Sequence, residues 1–294
     1  MNVDCSFFQG KGHHVCQDFA FVNKAYNRII ISDGCSGSPM TDVGARILSL
    51  SANKMVNYYP DIDLQKIDRL AISEARNICK SLNLDYSCLD ATLGYAGKMF
   101  AETSLFGQEI APLDMIYASL FGDGIIVFKL KNKTYLVYTM EYISGYPAYL
   151  NYLHDAERME QWKSILNAAG GPEESIIQTE ISYDSEWKEY QRVNMKNWTK
   201  PTFRGFHTEH GCYCFAVEED VEWVALLSDG VNSFTRKGEN PDSIPLEEVL
   251  KVLLDFRNTN GSFVQRQVNW FQKEIVKLDW QNFDDVSVAV LNVS

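Results

Sequence analysis

Apolar residues recur along this chain with two different periods. Short runs rich in branched and aromatic residues, bounded by turn residues, occur at 19–22, 28–32, 88–95, 115–121, 124–130, 133–140, 213–218, 222–228 and 286–293; such runs predict strands. Several are joined by connectors short enough to make antiparallel hairpins: Phe121-Gly122-Asp123-Gly124, the stretch 130–135, and the stretch 217–223. Elsewhere the spacing is helical. Thr41, Val43, Ile47, Ser51, Met55 and Tyr59 share one stripe, and Leu64, Ile67, Ala71, Ala75, Ile78 and Leu82 share the next. A second helix pair follows near the other end, from Leu246, Val249, Leu250 and Leu253 and then from Val264, Val268, Phe271, Ile275 and Leu278. Two helix pairs with about nine antiparallel strands predict an α+β fold. Its form is an antiparallel β-sandwich of two sheets flanked on both outer faces by helix pairs, four layers in the order αββα.

Neither an internal repeat nor a proline-rich linker marks a boundary, so residues 1–294 read as a single domain. The stretch from about 141 to 212 is less regular, and is expected to form a flap or insertion beside the sandwich. Composition narrows the partners. Lysine and arginine number 27 against 39 acidic residues, a formal charge of −12, which opposes attraction to nucleic acid or anionic lipid. No segment has the apolar length of a membrane span, and the amino terminus lacks a basic region followed by an apolar stretch. A cytoplasmic monomer is expected. The 7 cysteines, an odd number scattered along the chain, suit reduced thiols better than a disulfide framework. Cys212 and Cys214 lie in a strand-like run and read as ordinary thiols rather than a zinc site, which a lone C-x-C does not make.

Aspartates stand at strand ends throughout. Ser32-Asp33-Gly34 and Ser228-Asp229-Gly230 each stop an apolar run, Asp123 sits between two strands, and Asp18 and Asp284-Asp285 stand directly before a strand. Taken one at a time, each is ordinary turn or cap chemistry. Converging at one rim, however, they would repel one another unless cations neutralised them. Oxygen ligands of this kind select magnesium, manganese or calcium over zinc or copper.

The order of these motifs, "QD" at 17–18, "SDG" at 32–34, "GDG" at 122–124, "SDG" at 228–230 and "DD" at 284–285, resembles that of the metal-dependent serine/threonine protein phosphatases of type 2C, the PPM family. The opening "GKGHHVCQDFAF" is similar to its bacterial branch. The resemblance implies a phosphatase for phosphoserine and phosphothreonine proteins, using two Mn2+ or Mg2+ ions, with a third, weaker one, and direct attack of an activated bridging water. It further implies that Asp33 bridges two metals, that the Gly34 carbonyl binds one, and that Asp229 and Asp284 complete a shell. By the same likeness Asp18 acts largely through water, and Asp123 supports the third ion together with Asp229.

One position departs from the pattern. Where many members carry a phosphate-gripping arginine, this chain has His13, with His14 beside it, and imidazole is a weaker phosphate ligand than guanidinium. His13 or His14 takes over phosphate binding and acid catalysis, or Arg204 compensates, or both histidines are loop residues and activity is low. His207 and His210 read as loop histidines, and Cys16 and Cys35 as packing residues rather than nucleophiles. A pseudophosphatase or binding module and a small-metabolite phosphohydrolase remain as alternatives, although a dead site has no use for clustered carboxylates.

Overall fold

The computed structural model describes residues 1–58, 64–101, 113–171, 175–194, 205–207, 211–238 and 242–294. Numbered in chain order, the strands are β1 (Asn2–Phe8), β2 (Phe19–Asn23), β3 (Arg28–Ser32), β4 (Leu93–Ala101), β5 (Leu113–Phe121), β6 (Gly124–Leu130), β7 (Tyr135–Tyr142) and β8 (Ile176–Tyr183). They continue as β9 (Glu189–Asn194), β10 (Gly205–His207), β11 (Gly211–Val217), β12 (Val221–Leu227), β13 (Phe234–Arg236), β14 (Trp280–Asn282) and β15 (Val286–Asn292). The helices are α1 (Thr41–Tyr58), α2 (Leu64–Ser81), α3 (Ala156–Ala168), α4 (Leu246–Leu253) and α5 (Phe263–Lys277). Seven strands form one sheet in the order β1-β15-β12-β6-β7-β8-β9, six form another in the order β10-β11-β5-β4-β3-β2, and β13 pairs with β14. The pairings are antiparallel.

Strand alternation explains why several runs are apolar at nearly every position. Ile29 and Ile31 of β3 enter a core between the sheets, while Ile30 faces α1 and α2 on the outside. Ile126 and Phe128 of β6 likewise point inward, and Ile125 and Val127 pack outward with α4 and α5. The central strands of both sheets are therefore buried on two faces, which removes the polar positions that usually mark a strand's solvent side. On the helices the predicted stripes are the packed ones: Leu48, Ala52, Ile67, Ala71 and Ala75 on one side, Val249, Leu250, Val264, Val268 and Phe271 on the other. The sandwich and its two helix pairs are thus those the hydrophobic pattern predicts. Tyr59 lies outside the described residues.

Several expectations need correction. Of the three expected hairpins only the one across 130–135, β6 with β7, forms; the connectors at 121–124 and 217–223 cross from one sheet to the other. Residues 88–95 are not one strand, because Tyr86–Leu89 form a 3-10 turn capped by the Asp85 side chain and β4 begins only at Leu93. Cys88 and Leu89 are apolar because they pack beneath the first helix pair, a burial that a short run cannot distinguish from a strand. The described part of 141–212 is woven into the sandwich rather than set beside it. It supplies β8 and β9 to one sheet and β10 to the other, while Trp162 and Leu166 of α3 pack into the inter-sheet core. Lastly, β1 escapes the pattern because two of its buried positions are polar, Asp4 and Ser6.

Asp4 is buried for a reason. Its Oδ2 accepts the main-chain N–H groups of Val264 at 2.7 Å and Gln265 at 3.0 Å, so an edge strand caps the start of α5, whose first amides have no partner within the helix. Replacing Asp4 with alanine is expected to cost about 1–2 kcal/mol of unfolding free energy in urea titrations, with asparagine recovering most of it.

Candidate metal centre

Antiparallel register carries the strand-end aspartates to one end of the sandwich. Phe19, which follows Asp18, pairs with Ser32, which precedes Asp33. In the other sheet Leu227 pairs with both Ile125 and Val288, so the end of β12 meets the starts of β6 and β15. The tight turn at Asp123 crosses from one sheet to the other, and Gly122 (φ 82°) and Gly124 (φ 142°) adopt backbone angles that residues with a side chain rarely do. At Gly34 the need is close approach, since a Cβ there would lie 2.7 Å from Thr41 Cβ.

Each carboxylate is held by its neighbourhood. Asp18 is fully buried, and its Oδ2 accepts from Ser228 Oγ at 2.6 Å. That hydroxyl also accepts the Ser287 N–H at 2.9 Å, joining β12, β15 and the start of β2. Asp33 is fixed through its main chain: its N–H donates to Thr92 Oγ1 at 3.0 Å, and its carbonyl accepts from the Thr92 N–H at 2.8 Å. Asp285 is buried where Asp284 is half-buried. The Asp285 carboxylate accepts the N–H of Gly10 at 2.8 Å and of Gln17 at 2.6 Å, so it anchors the loop that carries His13.

His13 Nδ1 lies 2.9 Å from Asp285 Oδ2 and 3.5 Å from Asp284 Oδ1. It lacks a well-aligned hydrogen bond, so charge pairing more than a directed bond secures the ring. Ser36 Oγ is 3.4 Å from its Nε2. Burial works to lower the His13 pKa, but the Asp285 contact and the charges of Asp285, Asp284 and Asp18 raise it above the ordinary value. His14 next door is exposed.

Crowding shows in the acids. Burial, with the charges of Asp229 and Asp285, raises Asp18 to about 7 against the pull of Asp33 and Ser228. Asp33 is raised well above the carboxylate range by burial, then by Asp18 and Asp229; Asp123 is raised by burial and Asp229, and Asp284 by burial and Asp229. The Asp18 Oδ1 atom is buried without an aligned donor. Among the described residues no three His, Cys, Asp or Glu side chains form a ready-made coordination shell. The aspartates are gathered without closing around a point. This donor set fits hard divalent cations, which take carboxylate and carbonyl oxygens and fill their other positions with water.

The structure thus brings Asp18, Asp33, Asp123, Asp229, Asp284 and His13 into one neighbourhood. Arg204 and His210 lie outside the described residues. Sequence reasoning missed Ser228, Thr92 and the anchoring role of Asp285; the serine repeated before both Asp-Gly pairs was the available signal. Tyr149 was missed as well. Its hydroxyl meets Cys35 near Asp123 and Asp33, and its pKa is pushed well up, by burial first.

The family model described as Protein phosphatase 2C matches residues 10–272. Among solved structures, a sex determining protein of C. elegans is similar with TM-score 0.50 and 13% identity, over 100% of this chain and 65% of that one. The Mycobacterium tuberculosis serine/threonine phosphatase PstP/Ppp gives TM-score 0.49 and 12% identity, over 99% and 97%. The catalytic domain of PstP in complex with 2 manganese ions gives the same figures, 0.49, 12%, 99% and 97%. At TM-score 0.50 the first likeness speaks for the fold alone. Comparison with curated protein sequences found no match.

The raised acids fix a sign for stability. A native carboxylate with a pKa near 7 keeps a proton that the unfolded chain has released, so this contribution to the metal-free protein's stability falls as pH rises from the ordinary carboxylate range through about 7. Chelated wild type should therefore lose Tm relative to Asp33→Asn between about pH 5 and pH 8, and manganese should restore more at the higher pH. Parallel Tm profiles for the two proteins would contradict the crowding.

Proposed function

Since the chain belongs to the protein phosphatase 2C family, we propose that it is a metal-dependent phosphatase hydrolysing phosphoserine and phosphothreonine in proteins. The observation that carries this reading is the convergence of strand-end aspartates from both sheets, four of them with pKa values raised by burial and then by neighbouring carboxylates, around a buried oxygen with no aligned donor. Asp18, Asp33, the Gly34 carbonyl, Asp229 and Asp284 would hold two Mn2+ or Mg2+ ions, and Asp123 with Asp229 a third. Such ions supply charge neutralisation at the phosphoryl group and a water activated as nucleophile.

The remaining work falls to the chain. Asp285 ties down the loop of His13 through two main-chain amides and pairs with the ring, so the imidazole is presented with its Nε2 side toward Ser36. A raised pKa keeps that ring cationic further up the pH scale. As imidazolium it donates to a phosphoryl oxygen and passes a proton to the departing serine or threonine oxygen. Thr92 and Ser228 hold Asp33 and Asp18 against mutual repulsion, which keeps the site assembled between turnovers.

A second reading, a pseudophosphatase that keeps the fold as a binding module, is favoured by one observation: His13 stands where the family pattern has arginine. The same assay separates the two. Phosphoserine and phosphothreonine peptides and p-nitrophenyl phosphate are incubated with manganese, magnesium or chelator. Hydrolysis that requires the cation is expected, whereas metal binding without turnover selects the binding module.

Asp33→Asn and Asp229→Asn should each lower turnover by about a hundredfold or more, the scale of electrostatic stabilisation at a reacting centre, with the fold retained by circular dichroism. His13→Ala should slow phosphopeptide hydrolysis by about a hundredfold, as expected for lost proton transfer, and slow p-nitrophenyl phosphate far less, because nitrophenolate leaves without a proton. Equal effects on both substrates would remove His13 from acid catalysis.

A further inference from the structure

We propose that Asp90 is a positioning residue for the loop that begins at Asp33, and that Arg158 of α3 holds it in that role. The consequence for metal binding rests on the phosphatase reading; the linkage itself does not. Asp90 is 1% exposed and begins a segment that lies antiparallel to the Asp33 loop. Asp33 exchanges two hydrogen bonds with Thr92, Gly34 is bridged to Ala91, and the Cys35 N–H donates to the Asp90 carbonyl at 2.9 Å. The Asp90 side chain grips the same loop from below, its Oδ2 accepting from Ser38 Oγ at 2.7 Å.

What holds Asp90 comes from far along the chain. Arg158 Nη1 donates to Oδ1 at 2.7 Å while Nη2 meets Oδ2, a two-point pairing that fixes angle as well as distance. Asn151 Nδ2 donates to Oδ1 at 3.1 Å and to the Tyr86 carbonyl at 2.7 Å, and Asn151 Oδ1 accepts from Arg76 of α2 at 2.8 Å. Helices α2 and α3 therefore both end polar chains on one carboxylate. The Arg158 guanidinium lies 4.8 Å from the Tyr152 ring centroid, and the residue's main-chain N–H donates to the helix-capping Asp155 side chain.

The physical argument is about a buried charge. Without Arg158, Asp90 is a carboxylate in the interior lacking its countercharge, so its side chain must shift toward water. That movement loosens Ser38 and the 90–92 segment on which Asp33 is registered. Groups standing behind metal ligands in this way set affinity by fixing ligand orientation. Docking of α3, an element far from the aspartates in sequence, thus decides how well the loop presents Asp33.

The test compares wild type, Arg158→Ala, Arg158→Lys and, as a control, Arg192→Ala, which breaks an exposed ion pair with Glu189. Manganese affinity is measured by calorimetry, amide exchange over residues 33–40 by mass spectrometry on the metal-free proteins, and Tm in parallel. Folded Arg158→Ala should bind manganese about tenfold more weakly and exchange faster over 33–40. Arg158→Lys should lie between, and Arg192→Ala should match wild type. A lowered Tm with unchanged manganese affinity and unchanged exchange over 33–40 would reduce the pair to an anchor for α3 and overturn the proposal. If Arg158→Ala fails to fold, Arg158→Lys and Ser38→Ala decide by the same two readouts. Should wild type not bind manganese at all, the phosphatase reading fails, and the exchange comparison alone decides the linkage.

Discussion

Repulsion among carboxylates that the fold forces together is the constraint from which the rest of this molecule follows. Asp18, Asp33, Asp123 and Asp284 all have raised pKa values, with burial as the first cause and neighbouring aspartates as the next. In a chain with 39 acidic residues against 27 basic ones, no stability argument favours such a cluster. It persists because the surrounding structure outweighs the repulsion, a pattern that belongs to functional sites more than to scaffolding.

The restraint comes from both sheets. β3 and β12 are buried along their whole length or nearly so, and each is locked between antiparallel partners whose register leaves little freedom at its end. Hydroxyls finish the work. Thr92 fixes the main chain of Asp33 from the neighbouring strand, and Ser228 binds Asp18 across the sheets while accepting an amide from β15. Such contacts hold a charged atom in place without adding another charge, so they raise order at the site without deepening its electrostatic cost.

A division of labour runs through the two adjacent acids at the start of β15. Asp284 is half-exposed toward the cluster, while Asp285 turns inward and takes two amides from the loop of His13. Both acids precede β15 and approach the same His13 nitrogen, but only Asp285 takes main-chain amides and so organises the loop that carries the ring. Asp90 repeats this logic elsewhere: a buried acid serves as an acceptor for main-chain and side-chain donors and thereby orders a loop.

The chain's periodicities alone determined the two helix pairs, most central strands and the antiparallel sandwich, since burying a strand or a helix face requires apolar residues at a fixed local spacing. They also placed aspartates at strand ends, and motif order pointed to the protein phosphatase 2C family to which the chain belongs. What they could not determine depends on contacts between residues distant in sequence. Asp4 in β1 looks polar until α5 supplies the amides it caps. Residues 88–89 look like the start of a strand until the first helix pair covers them. The irregular stretch around 141–212 shows its place only when β8 and β9 extend a sheet edge and Arg158 meets Asp90, 68 positions away. Only the tertiary structure decided which aspartate faces the cluster and which of two adjacent histidines is drawn to it, because local spacing fixes which face a side chain takes and long-range packing fixes what that face meets.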